Sequence, residues 1–292
     1  MKKVGYFFAC FLPLIITIAV QFLAIAFMSG IYFLYSLFSG KAGSGDLLTT
    51  YYDLLTNTEF NACIMIIYAL TCAIVFGLWY YSRCGGNFLP NPSRTFSVSQ
   101  IAGVVLLIPG LQFFSGFLTQ ITAAIVPKWM EQYENLMEQS GLDSEVGILM
   151  LIYGVIIGPI CEELAFRGVT LRFAQQALPF WLANLFQAVL FGIFHMNWIQ
   201  GIYAFSLGIV LGLICHYGQS IYYSILLHIL FNFWGLVLGE ILFGNMEETV
   251  LSSLILLGLM LVSLAAGTTL FVLGTRNKAK RSHASTFSAE GE

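Results

Sequence analysis

Three short stretches carry polar and ionisable side chains where the surrounding sequence is almost wholly apolar. They are "EELAFR" at 162–167, "FGIFH" at 191–195 and "HILFN" at 228–232. An ionisable group at the centre of a membrane helix costs about 2.5–3.5 kcal/mol on insertion scales, so one retained there is a functional candidate. Glu162, Glu163, Arg167, His195, His228 and Asn232 are therefore the residues whose types could do chemistry. Peptide hydrolysis needs a base beside a water molecule and donors where the carbonyl oxygen becomes negative. A carboxylate or histidine supplies the first, and an amide, neutral at every working pH, suits the second. A single intramembrane histidine or asparagine is equally well explained as a hydrogen bond between helices. The set, not any one member, argues for a site.

Helical spacing sharpens the reading. Glu163 and Arg167 are four apart, acid first, the order that favours pairing on one face. Glu162 lies about 100° round the helix, so one arginine does not serve both acids. His228 and Asn232 also share a face. At a rise of about 1.5 Å per residue, Glu162, His195, His228 and Asn232 lie about 18, 22, 12 and 18 Å from one side of the bilayer. Within a helical turn they fall in one layer.

The elements that must position them are membrane helices. Of 292 residues, 58% are hydrophobic and 9% charged, with a mean hydropathy of +0.84; soluble domains have roughly 25% charged residues. The fold class is all-α, a polytopic integral membrane protein of about eight transmembrane helices around an intramembrane polar cavity. The apolar runs fall near 4–37, 61–82, 98–126, 146–174, 180–198, 199–216, 220–243 and 249–274. The first exceeds a secretory signal core and reads as a retained anchor, tilted or partly interfacial. Residues 1–275 form a single membrane domain, and the polar stretch 276–292 reads as a disordered tail.

Lys2, Lys3, Arg83, Arg94, Arg172, Arg276, Lys278, Lys280 and Arg281 fall on one side of an eight-span chain. Lys41, Lys128 and most acids, including Asp46, Asp53, Asp143, Glu145, Glu247 and Glu248, fall on the other. Basic residues gather on the cytoplasmic side, so both termini are expected there. The segment "KWMEQYENLMEQSGL" brings Trp129, Met130, Tyr133 and Met137 to helical spacing and reads as an amphipathic helix at the outer interface. Gly158-Pro159 should kink the fourth span and free backbone carbonyls. Gly201, Ala204, Gly208 and Gly212 suit close helix packing. The six cysteines have no metal-type spacing, and His216 and His283 read as loop and tail residues.

The three motifs, in order, resemble EExxxR, FxxxH and HxxxN of the CPBP family, which comprises CaaX proteases, bacteriocin-processing proteins and abortive-infection proteins. The resemblance covers about residues 146–243 and does not extend to the first three spans. It implies an intramembrane peptidase of the glutamic type. Glu162 would be the general base and His195 would help hold and activate the water. His228 and Asn232 would stabilise the oxyanion, with Glu163 and Arg167 in support. An alternative is a zinc enzyme with Glu162, Glu163, His195 and His228 as ligands. Two histidines and a carboxylate do form catalytic zinc sites, but the HExxH arrangement is absent. No cofactor is favoured. A non-catalytic immunity or regulatory protein of the same fold is a further alternative. A proton-coupled transporter fits less well, because no paired halves are seen. The expected partners are a membrane-associated peptide or protein tail and the lipid bilayer, not nucleic acid. The expected setting is the plasma membrane of a bacterium, where a prenylated CaaX substrate need not apply.

Overall fold

Apolar segments crossing lipid can satisfy their backbone groups only within helices or closed barrels. In the computed structural model, which describes residues 2–38, 54, 57–83, 96–139, 146–244, 246–247 and 249–289, every regular element is a helix. The loop residues Lys41, Asp46, Asp53, Arg94, Asp143, Glu145 and Glu248 lie outside the described residues. In chain order the helices are α1 (Lys2–Ala9), α2 (Leu12–Phe38), α3 (Thr58–Arg83), α4 (Val98–Ile125) and α5 (Pro127–Gln139). They continue with α6 (Ile148–Ala177), α7 (Phe180–Phe194), α8 (Trp198–Gly218), α9 (Ile221–Phe243) and α10 (Val250–Ala289).

Among the described residues, seven helical runs are long and apolar enough to cross a membrane, counting α1 and α2 as one, Lys2–Phe38. The chain is an all-α, multi-pass integral membrane protein. Pro13 explains the break at Cys10 and Phe11, because its ring blocks the bond to the Ala9 carbonyl. Phe7 and Phe11 of the anchor pack on Phe186 of α7, at ring separations of 5.3 Å each.

The fifth apolar run differs from the sequence expectation of a span over 180–198. Helix α7 has 15 residues, about 22 Å, against a hydrocarbon core of about 30 Å. A helix of that length entering at one face stops about 8 Å short of the other. What ends it is local: Met196 takes a left-handed φ of 54°, and the Asn197 side chain caps α8 by accepting from the Gln200 N–H at 3.1 Å. His195 sits in that reversal.

The last helix differs too. It continues to Ala289, through the stretch read as a disordered tail. Residues 275–289 contain neither glycine nor proline to end it, and alanine, lysine and arginine are good helix formers.

Close approach of helices relies on small residues. A Cβ on Gly192 would lie 2.7 Å from the Gly201 carbonyl oxygen, so α7 and α8 meet backbone to backbone. A Cβ on Gly208 would lie 3.2 Å from Ala188 on the same seam, the packing role expected of that glycine pattern. Gly192→Leu should therefore force the helices apart and cost at least about 1–3 kcal/mol. Thermal unfolding in detergent would show it as a lowered midpoint, whereas an unchanged midpoint would mean that the seam is slack. Across the bundle, Pro109 interrupts α4. There the Ser263 hydroxyl accepts from the Gly110 N–H at 2.9 Å and donates to the Leu106 carbonyl, repairing the ladder from a neighbouring helix.

Candidate active site

Helix α6 carries both glutamates, and its backbone is not a plain α-helix. Two π-type segments, Tyr153–Ile157 and Leu164–Thr170, flank Gly158–Glu163. The Gly158 N–H bonds the Tyr153 carbonyl, five residues back. Continuing that register would pair the Gly154 carbonyl with residue 159, and Pro159 has no N–H. The freed carbonyl is taken by Asn232 of α9, whose Nδ2 donates to Gly154 at 2.7 Å. The liberated acceptor expected from Gly158-Pro159 is therefore present, and it fixes one amide hydrogen of Asn232. Gln112 of α4 donates to the neighbouring Phe231 carbonyl, so a helix outside the motif core also steadies this turn.

Glu163 and Arg167 are both fully buried and pair at 2.7 Å. Charges held at such depth require further partners. Arg167 Nη2 donates to the Gly208 carbonyl of α8 at 3.2 Å, and the guanidinium lies 4.4 Å from the Phe191 ring centroid. Gln187 of α7 donates to the same Gly208 carbonyl at 2.9 Å and to Asn184 Oδ1 at 2.8 Å. Asn184 in turn donates to the Ile209 carbonyl at 3.1 Å. This buried chain of polar groups ties α6, α7 and α8 together. Its loose ends are Glu163 Oε2, Arg167 Nε and Gln187 Oε1, which have no hydrogen-bond partner among the described residues.

His228 stands between the two glutamates. Its Nδ1 lies 2.9 Å from Glu163 Oε1 and its Nε2 lies 3.7 Å from Glu162 Oε2. An ionised carboxylate, as Glu163 is beside Arg167, only accepts, so the Nδ1 hydrogen donates to it and Nε2 is the nitrogen that faces Glu162. The longer contact is beyond hydrogen-bond range, and such contacts commonly tighten when substrate arrives. Glu162 keeps 13% of its side-chain surface exposed. Among the described residues it makes no hydrogen bond.

His195 reaches the group through Phe191. The Phe191 ring is 4.9 Å from the His195 ring and 5.8 Å from the His228 ring, edge-on to both. His195 Nδ1 lies 2.8 Å from the Phe191 carbonyl, which can only accept. The proton is therefore on Nδ1, and Nε2 presents a lone pair when the ring is neutral. Over this turn, Trp129 of α5 stacks on Trp198 of α8 at 5.1 Å. The amphipathic segment is thus helical over Pro127–Gln139 and docks beside the α7–α8 reversal.

Glu162, Glu163, Arg167, His228 and Asn232 thus converge where α6 and α9 meet, and His195 joins them across one aromatic ring. As a zinc site the arrangement fits poorly. Both Nδ1 of His228 and Oε1 of Glu163 are spent on each other, and Glu163 also holds Arg167. Among the described residues no three His, Cys, Asp or Glu side chains gather closely enough to hold a metal ion.

Asn184, Gln187 and Gln112 were not singled out from the sequence. A signal for the first two exists. Asn184, Gln187, Phe191 and His195 are three, four and four apart, one face of a helix in an otherwise apolar run.

Comparison with known proteins places a family match over this region. Residues 144–234, which contain all six motif residues, match the family described as type II CAAX prenyl endopeptidase Rce1-like. No curated protein and no solved structure matches the chain significantly.

Proposed function

We propose, from the Rce1-like match over the motif core, that this membrane protein is an intramembrane endopeptidase that cleaves a membrane-associated peptide or protein tail with glutamate-activated water. The observation that carries the reading is His228 set between Glu163, at 2.9 Å, and Glu162, at 3.7 Å.

The two glutamates divide the work. Glu163 is committed to Arg167 and His228, so it positions and does not react. Glu162 has the free oxygens, and it acts as the general base. A water between Glu162 and His195 donates one hydrogen to each, because His195 Nε2 offers a lone pair. As the water oxygen attacks the scissile carbonyl, Glu162 takes its proton and later passes it to the leaving amine. Asn232 keeps its second amide hydrogen after Gly154 has taken the first, and donates it to the oxyanion. His228 turns its Nε2 to the same reacting centre, beside Glu162, and is held there through Nδ1 by Glu163. Donors preset where charge develops are worth about 3–4 kcal/mol in the transition state, so Asn232→Ala should slow cleavage about 10²–10³-fold. Single-turnover kinetics on a quenched fluorescent peptide would measure this; a change only in substrate binding would remove Asn232 from the oxyanion.

No metal takes part in this scheme. Cleavage by the purified protein should persist in strong chelators. Activity that chelators abolish and added zinc restores would replace the scheme with the metalloenzyme alternative. The substrate is identified by comparing peptide ends in membranes from cells carrying the wild-type or the Glu162→Gln protein, since its products vanish with the base. The basic residues before the first span and after the last support cytoplasmic termini in a bacterial plasma membrane, which terminal reporter fusions would test.

A further inference from the structure

A polar cavity, of about 230 Å³, lies where the end of α6 meets the turn between α8 and α9. Arg167, Leu171 and Gln175 line it at four-residue intervals, one stripe of α6 about 12 Å long. Arg172 adds a second guanidinium, and His216, Gln219 and Ser220 form the facing wall. None of its lining residues is acidic and only one is aliphatic, an unusual composition for the interior of a membrane bundle.

The walls are held in place. Arg172 donates to the Tyr80 hydroxyl at 3.2 Å and lies 4.9 Å from that ring's centroid, which fixes the direction of its fork. Gln219 holds a left-handed φ of 54° in the α8–α9 turn. Ser220 caps α9 by accepting from the Tyr222 N–H at 3.3 Å, which leaves its hydroxyl hydrogen for another acceptor.

The buried end carries the second observation. Arg167 is 0% exposed, and its two terminal nitrogens are used by Glu163 and Gly208. Its Nε has no hydrogen-bond partner among the described residues. A buried donor without an acceptor is rare in folded proteins. An acceptor in the cavity would complete it.

We propose that this cavity binds a phosphate group. Guanidinium forks match phosphate oxygens in geometry as well as charge, and amide and hydroxyl donors complete such sites. The cavity lies at the end of α6 and the start of α9, the level at which bilayer headgroups present phosphates, and basic pockets between membrane helices bind them. The same chemistry would accept free phosphate. The inference is independent of the peptidase reading, and its test does not measure cleavage.

The test is thermal unfolding of the full-length protein in detergent, titrated in separate arms with phosphatidylglycerol, diacylglycerol of the same chains, and inorganic phosphate at constant ionic strength. A ligand of the folded state raises the midpoint with concentration. Phosphatidylglycerol should raise it saturably and diacylglycerol should not. Arg172→Gln and Gln175→Glu should each weaken the apparent affinity about tenfold, through loss of a charged donor or gain of a repelling charge. Gln175→Glu is nearly isosteric, so it decides the matter should Arg172→Gln fold poorly. A shift produced by inorganic phosphate alone assigns the site to the free anion; a shift that requires the lipid assigns it to the headgroup. Equal shifts for wild type and Gln175→Glu, a shift by diacylglycerol as large as that by phosphatidylglycerol, or no shift in any arm would overturn the proposal.

Discussion

Glu162→Gln is expected to lower the rate of cleavage by about 10²–10⁴-fold, the usual worth of a positioned general base. The thermal midpoint should hardly move. Glu162 makes no hydrogen bond among the described residues, retains 13% exposure, and lies 3.7 Å from His228. Its amide isostere therefore breaks nothing, and the expected change in stability is within about 0.5 kcal/mol. Substrate should still bind, so the loss should appear in kcat and not in KM. Residual activity close to wild type would exclude Glu162 as the base and transfer attention to His195. A lowered midpoint would show instead that Glu162 holds the fold.

Arg167→Met should behave in the opposite way. It removes the partner of a carboxylate that is 0% exposed, and breaking a buried pair from one side costs about 3–5 kcal/mol. The hydrogen bond to Gly208 and the contact with Phe191 go with it, loosening α6 from α8 and α7. The double variant Glu163→Leu with Arg167→Met removes both charges together. It should recover most of that stability, because a well-packed apolar pair is commonly no worse than a buried ion pair. Activity should not return, since His228 has lost the carboxylate that fixes its Nδ1 proton. Denaturant or thermal unfolding, paired with a cleavage assay, separates the two effects. Recovery of both stability and activity in the double variant would show that Glu163 does not position His228.

Much of this was legible in the sequence because it follows from cost. Lipid penalises every polar group, so Glu162, Glu163, Arg167, His195, His228 and Asn232 are conspicuous in an apolar chain. Helical periodicity then pairs Glu163 with Arg167, and the structure has that pair at 2.7 Å. Rise per residue set Glu162, His195, His228 and Asn232 at a common depth, and Glu162 and His228 do approach within 3.7 Å. Asn184 and Gln187 were equally visible but neutral, and a neutral amide in a span raises less alarm than a charge. Gly201 and Gly208 show the limits of pattern: their spacing foretells close packing but not that Gly192 and Ala188 are what arrives.

The composition, most of the helical spans and the positions of the polar residues were legible in the chain alone, because hydropathy and helical period are local properties. Only the tertiary structure decided that α7 stops after 15 residues at a left-handed Met196, that α6 widens into π turns around Pro159, and that Gly154 receives the Asn232 amide. It alone also set which nitrogen of His195 and His228 holds the proton. Each of these depends on what a neighbouring helix offers at one point, and a hydrogen bond between residues 78 apart in sequence leaves no periodic trace in either segment.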